Sequence, residues 1–212
     1  MKLPALLSAV LLLTFLLLPG PGRSAPLPEY KPDTCWVMFW NLENLYDAED
    51  DPEVEIRDAM SPLDLAEKLR RLRSVIGRVN WGRGPDALGV CEVESGDLVR
   101  RLVGEGYRVV HHKGNYPRGN NTALATRLPL DGDPEHLDPG TTGRTILHAK
   151  LRWGGERLHV FVLHMKSKYN PKTGTYETRM DEETRTKEAR FLAARIEKLL
   201  EAEPAANLVV MG

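Results

Sequence analysis

The sequence predicts a layered α/β fold built around mixed β-sheets, and three observations carry that reading. Apolar runs at residues 35–40 and 87–91 are bounded by glycine, proline and polar residues, as buried strands are. Two further segments, around residues 65–76 and 189–199, repeat apolar residues at helical spacing. Residues 145–153 and 157–164 alternate apolar and polar positions on either side of Gly154-Gly155, the pattern of an antiparallel hairpin. Strands joined in some places through helices and in others through hairpins imply sheets of mixed direction.

The chain has 212 residues, 42% of them hydrophobic and 28% charged, which suits one domain with a core and excludes disordered and fibrous classes. Met1-Lys2, an uncharged apolar run at 3–18 and a Pro/Gly-rich stretch ending in Ser24-Ala25 read as a signal peptide over residues 1–24, with the mature chain starting near Ala25 or Pro26. The run is shorter than the ~20 residues that span a bilayer, so no permanent membrane anchor is expected and the protein should be secreted or periplasmic. Residues 25–34 form a proline-rich lead-in and 35–212 the folded domain. The formal charge is −1, and becomes −3 once Lys2 and Arg23 leave with the signal peptide. That excludes a simple polybasic nucleic-acid binder. The charge is uneven, however: residues 43–64 hold nine acids against Arg57, and residues 141–198 hold thirteen Lys or Arg against seven acids. An acidic lip beside a basic wall suits a site that holds a cation and receives an anion, although solvated faces are the commoner origin of either run.

Taken in order, residues 35–40 form a first strand, apolar throughout and therefore buried on both faces, which ends at Asn41. Residues 47–58 are an acidic loop. Ser61 is placed to cap a helix with Pro62 at its first position and Asp64 in the capping-box place, and Leu65, Leu69, Leu72 and Ile76 fall on one face. After a glycine-rich turn at 81–85, the second strand delivers Glu92 to its end. The unit reads strand, helix, strand, which suits a parallel pair. Cys35 and Cys91 then lie at opposite ends of the sheet, and no disulfide is expected. Ser95 and Asp97 start a short helix through Val103. Residues 107–111 and 120–126 are a third and fourth strand, and 129–143 is a loop rich in Pro, Gly and Asp. The hairpin follows, then a basic polar loop at 166–176. A second amphipathic helix from about Asp181 to Ala202 presents Ala189, Leu192, Ile196 and Leu199 on one stripe, and residues 207–211 begin a further buried strand.

Glu92 is the first candidate metal ligand. If the first two strands are parallel neighbours, Glu92 and Asn41 reach one edge of the sheet, where open α/β sheets place their ligands. One carboxylate and one amide, both oxygen donors, suit a hard cation that keeps several waters, such as Mg²⁺, with Mn²⁺ or Ca²⁺ as substitutes. On the residues alone a polar strand exit is the commoner role for a residue like Glu92, and Asn41 fits equally well as a turn residue bonding its own backbone. His164 ends the second hairpin strand with His159 on the opposite face, which argues against a two-histidine metal pair. His111, His112 and His148 read as structural. Arg144 follows a glycine at a strand start and can fork onto a carboxylate or a phosphate, or simply lie at the surface. Glu94 shares a face with Glu92, so a glycosidase-type acid pair is open, without an aromatic sugar platform to support it.

Six stretches taken together resemble the endonuclease/exonuclease/phosphatase family: FWNLENLYD at 39–47, PDALGVCEVE at 85–94, RGNNTALATR at 118–127, GRTILHAKL at 143–151, FVLHMKSK at 161–168 and NLVVMG at 207–212. That family includes deoxyribonuclease I, exonuclease III, sphingomyelinases and inositol polyphosphate 5-phosphatases. The match runs from Cys35 to the end and is nearest to secreted bacterial members that open with Asn-x-Glu-Asn-Leu. The resemblance implies a four-layered α/β sandwich of mixed sheets flanked by helices, with Asn41 and Glu92 at the metal site. It further implies that His164 binds the scissile phosphate and stabilises the charge developing there, with Arg144 and Asn121 as supporting substrate-binding positions. Lys166, at the head of the basic loop, is an additional substrate-binding candidate.

In the family, the strand matching 207–211 continues past its glycine into Asp-x-Asn, and later strands supply an Asp-His pair. Here the sequence stops at Gly212, so the fold is expected to be incomplete at its C-terminus, to expose an apolar sheet edge at 208–211, and to have negligible activity by itself. For a longer parent the resemblance implies a monomeric, Mg²⁺-dependent phosphoester hydrolase. Export and the basic loop favour extracellular nucleic acid as its substrate, making it a phosphodiesterase or nuclease. A phospholipid or small-phosphoester hydrolase and a non-catalytic phosphate- or nucleic-acid-binding exported protein are the alternatives.

Overall fold

The structure, a computed structural model, describes residues 34–49, 59–114, 119, 121–167, 169–170, 175–176 and 179–212. The expected signal peptide and proline-rich lead-in, most of the expected acidic loop and much of the expected basic loop fall outside the described residues. Strand β1 (Val37–Leu45) leads through helix α1 (Pro62–Ile76) and a short 3₁₀ turn (Val79–Gly82) into β2 (Ala87–Val93). The two strands pair in parallel, as the intervening helix requires. Ser61 caps α1, its Oγ accepting the Asp64 N–H at 3.1 Å. The Asp64 carboxylate accepts the Ser61 hydroxyl rather than its backbone N–H, so only half of the capping box forms. Helix α2 (Gly96–Val103), capped by Ser95, precedes β3 (Arg108–His111) and β4 (Asn121–Thr126). The first sheet has the order β1-β2-β4-β3, with the β2–β4 and β3–β4 pairs antiparallel.

Next come β5 (Glu135–Leu137) and the hairpin strands β6 (Ile146–Trp153) and β7 (Glu156–Val162). A two-stranded ladder of β8 (Tyr169–Asn170) and β9 (Thr175–Tyr176) precedes α3 (Arg179–Ala202) and β10 (Asn207–Met211). The second sheet has the order β10-β7-β6-β5, and β10 runs parallel to β7 because α3 returns the chain between them. Among the described residues the chain is thus α/β, with two mixed four-stranded sheets, the small β8–β9 ladder and three α-helices.

Three apolar interfaces stack these elements. Leu65, Leu69, Leu72 and Ile76 of α1 and Leu98, Val99 and Leu102 of α2 cover one face of the first sheet through Leu42, Leu88, Val90 and Ala123. The facing surfaces of the two sheets meet through Leu124, Leu147, Ala149, Val160, Val162 and Met211. On the far side of the second sheet, Leu192, Ile196 and Leu199 of α3 pack on Ile146, Phe161 and Leu163. Between the sheets Gly89 has a steric reason to be glycine: a Cβ there would lie 2.9 Å from Met211 Cε and 3.2 Å from both Val162 methyls.

Four expectations need correction. β1 runs through Asn41 to Leu45, because the chain recovers its pairing with β2 after an irregularity at 42–44. β5 lies within the expected 129–143 loop; three residues are too few to show alternation in the sequence. β7 ends at Val162, leaving His164 on the segment beyond it. On α3 the inward position is Glu188, which is buried, whereas Ala189 is exposed.

Candidate active site

Glu92 is aimed by an interruption in the strand. In the pairing of β1 with β2, Asn41 lies opposite Cys91 and Leu45 opposite Val93, so Leu42, Glu43 and Asn44 face Glu92 alone. On the other side of β2, Cys91 pairs with Thr122 and Val93 with Asn121, which leaves Glu92 without a partner on β4. This is a β-bulge, a device that re-aims a side chain. Regular alternation would turn Glu92 into the apolar layer with Leu88 and Val90; the bulge gives that place to Val93 and frees Glu92. Glu92 has φ of 59°, and Glu43 and Asn44 have φ of 51° and 61°. Non-glycine residues in the left-handed region carry strain that surrounding structure must hold, and such residues cluster at functional sites.

Here the holding groups are visible. Asn41 Nδ2 donates to Glu92 Oε1 at 3.1 Å, and the Asn44 N–H donates to Glu92 Oε2 at 3.1 Å. Asn41 Oδ1 accepts the Glu43 N–H at 2.8 Å, which fixes the amide with its nitrogen toward Glu92. Asn41 therefore orients the carboxylate, and a cation would meet it only through the remaining lone pair of Oδ1. Lys68 of α1 donates from Nζ to the carbonyls of Glu43 (2.7 Å) and Asn44 (3.2 Å), closing the bulge from the helix side. Burial lowers the Lys68 pKa, against the opposing pull of the Glu43 and Glu92 carboxylates. The sequence reading passed over Lys68. Its signal was positional, because it falls three residues after Leu65 and four before Leu72, at the edge of the apolar stripe.

His164 reaches the same point from the second sheet, with Nε2 3.3 Å from Glu92 Oε1. Burial first, then the neighbouring Arg144 guanidinium, hold its pKa down at about 4, although Glu92 pulls the other way. At neutral pH the contact is a neutral imidazole beside a carboxylate rather than an ion pair. Arg144 grips the backbone that carries His164: Nη1 donates to Met165 O at 2.7 Å and to His164 O at 3.4 Å. The structure thus brings Asn41, Glu92 and His164 together, with Arg144 supporting them.

The other two candidates sit differently. The Asn121 amide is taken up by backbone, accepting the Gly114 N–H at 2.9 Å and donating to Gly119 O at 2.7 Å. Lys166 Nζ donates to Ser167 O at 3.0 Å, beyond the Glu92 cluster. Glu94, the partner in the glycosidase alternative, accepts the Asp47 N–H at 2.7 Å and secures the chain after β1. Burial pushes the Cys91 thiol up to about 12, so it is no nucleophile.

Glu92 and Asn41 offer oxygen donors only, which fit a hard divalent cation completing its shell with water. Among the described residues no group of three His, Cys, Asp or Glu could hold a metal ion. A groove of about 440 Å³ opens beside the bulge along β1 and α1, lined by Trp40, Asn41, Glu43, Asp64, Lys68 and Arg71.

Residues 36–212 match the model of the endonuclease/exonuclease/phosphatase family. No curated protein matches the chain in sequence. Among solved structures, TDP2 from C. elegans superposes with a TM-score of 0.57 at 18% identity, covering 82% of this chain and 45% of that one. D. rerio TDP2, in complex with a single-strand DNA product, gives 0.55 at 18%, covering 83% and 58%. A β-hairpin deletion mutant of Staphylococcus aureus beta toxin gives 0.53 at 12%, covering 78% and 61%. At these identities the likeness is one of fold. The chain spans about half the length of these structures.

Proposed function

The chain belongs to the endonuclease/exonuclease/phosphatase family, and on that premise we propose that it forms the Glu92 half of an exported, metal-dependent phosphodiesterase acting on nucleic acid. The observation that carries this reading is the bulged Glu92, strained at φ of 59°, held by Asn41 and the Asn44 N–H and faced by His164 at 3.3 Å. A Mg²⁺ ion held by Glu92, with Asn41 beside it, would supply positive charge to the phosphate oxygens and the leaving oxygen. The chain's own groups do the rest of this half. Asn41 and Asn44 keep the Glu92 carboxyl group pointed into the site. His164, neutral at pH 7, offers Nε2–H to a phosphoryl oxygen, where a donor aimed at developing charge counts most. Arg144 sets the imidazole by fixing its backbone, and adds positive potential without touching the phosphate. The water-activating acid, a transition-state amide and an acid-supported histidine are assigned to sequence beyond Gly212; the half-length coverage of the solved structures supports this.

Nucleic acid is favoured as substrate by the signal peptide, by the basic residues after His164 and by the DNA product bound to D. rerio TDP2. A non-catalytic phosphate- or nucleic-acid-binding exported protein is the second reading, since Glu92, Asn41 and His164 could hold a phosphate without cleaving it. The test compares residues 1–212 with a longer form on plasmid DNA, a phospholipid and a nucleotide phosphoester, with Mg²⁺. The longer form should cleave DNA, the short form should fall at least ~10²-fold below it, and Glu92→Gln should remove what activity remains. Unchanged turnover in Glu92→Gln would dismiss the assignment.

A further inference from the structure

The small cavity behind His164, lined by Arg144, Leu163, His164, Met165 and Glu188, contains a carboxylate that the reaction above does not use. Glu188 is 3% exposed and projects from α3 one helical turn before Leu192, where the apolar stripe calls for another leucine. An ionised carboxylate placed there costs stability unless its oxygens are fully engaged. They are engaged by two loops. Oε1 accepts the hydroxyls of Thr141 (2.9 Å) and Thr142 (3.3 Å), which lie just before Arg144. Oε2 accepts the backbone N–H of Lys166 at 2.8 Å, two residues after His164. The loop carrying His164 has no regular structure, yet its backbone is tied at successive points. Leu163 N–H bonds Met211 O at 2.9 Å, Arg144 takes the next two carbonyls, Glu188 takes the Lys166 N–H, and Arg185 Nη1 takes Lys166 O at 3.1 Å. Arg144 links the two loops to each other, and Glu188 ties both of them to α3.

We propose that Glu188 is a positioning residue that fixes His164 and Arg144 relative to Glu92 by anchoring their two loops to α3. It contacts neither substrate nor cation. The role rests on the phosphodiesterase reading for its catalytic consequence, but not for the anchoring itself. Misplacing a reacting group by about 1 Å can cost on the order of 10²-fold in rate.

Glu188→Leu keeps the approximate side-chain volume and suits the apolar stripe, but removes the acceptors of the Lys166 N–H and of both threonine hydroxyls. The first readout is amide exchange on residues 1–212. The Lys166 amide should exchange at least ~10-fold faster in the variant while β2 and β7 amides keep their protection, which separates loosening of the loop from unfolding. The second is kinetic, on the longer form, where kcat should fall about 10²-fold with KM within a few-fold. A Thr141→Val/Thr142→Val double variant frees only the Arg144 side, so its Lys166 amide should stay protected. Unchanged Lys166 exchange in Glu188→Leu overturns the proposal, as does an unchanged kcat alongside faster exchange. If the wild-type longer form turns over no phosphodiester, the function reading fails by itself. Inorganic phosphate binding to the Mg²⁺-loaded protein then replaces kcat, a tenfold weakening in the variant supporting the role and equal binding rejecting it.

Discussion

Glu92 shows how a side chain can be aimed out of a sheet against the preference of its own backbone. Its φ of 59° suits glycine, and its carboxylate engages Asn41 and Asn44 so that the strained conformation is kept. Glu92→Gly should therefore be more stable than Glu92→Ala by about 1 kcal/mol in urea unfolding, reversing the usual order of these residues in a strand. An alanine variant of equal or higher stability would argue against the strain. Burial is the first cause holding His111, His148 and His164 each at about 4, so all three are neutral when folded at pH 7. Unfolded, they titrate near 6.5. Between these values the unfolded chain binds more protons than the folded one, so stability rises with pH across this window and is lost as pH falls from about 6.5 toward 4. Thermal midpoints at pH 7, 5.5 and 4.5 should descend in that order, and a flat series would contradict the burial of these rings. None of this was legible one residue at a time. In the sequence Glu92 is a polar residue after an apolar run, and its positive φ comes from pairing with chain segments about fifty and thirty positions away.

At the scale of elements, helix boundaries were the most legible part of the chain. Ser61-Pro62 and Ser95 mark the starts of α1 and α2 because capping is local chemistry between neighbours. The hairpin turn at Gly154-Gly155 was legible for the same reason, with φ of 58° and 89° at the two glycines. β5 and the register shifts were not, since each depends on a partner strand supplied from elsewhere. Gly89 belongs to this scale too, as the point where β2 lets the second sheet approach. Gly89→Ala should cost about 1–3 kcal/mol through overpacking against Val162 and Met211, read by chemical denaturation. A neutral effect would mean that the two sheets separate more easily than their close packing suggests. The Glu188 position carries the same lesson for α3: helical periodicity located the stripe around Leu192, but sequence alone favoured the neighbouring alanine over a buried acid.

For the whole molecule, the second sheet ends at β10 among the described residues, and Val210 on that strand is 48% exposed. A strand with a free edge and an exposed branched side chain is a template for pairing with another chain. Val210→Lys should therefore reduce concentration-dependent association in light scattering, with little change in thermal midpoint; undiminished association would place the sticky surface elsewhere. By itself the sequence determined the fold class, the helix starts, the hairpin and the family, because these follow from local periodicity, capping and ordered motifs. It also named the three groups that meet at the site. Only the tertiary structure decided how they meet, placing Asn41 Nδ2 on Glu92, engaging the Asn121 amide with the backbone of Gly114 and Gly119, and bringing in Lys68 and Glu188. The physical reason is that a ligand's identity is written in its side chain, whereas its direction is set by strands and helices distant in sequence that press against it.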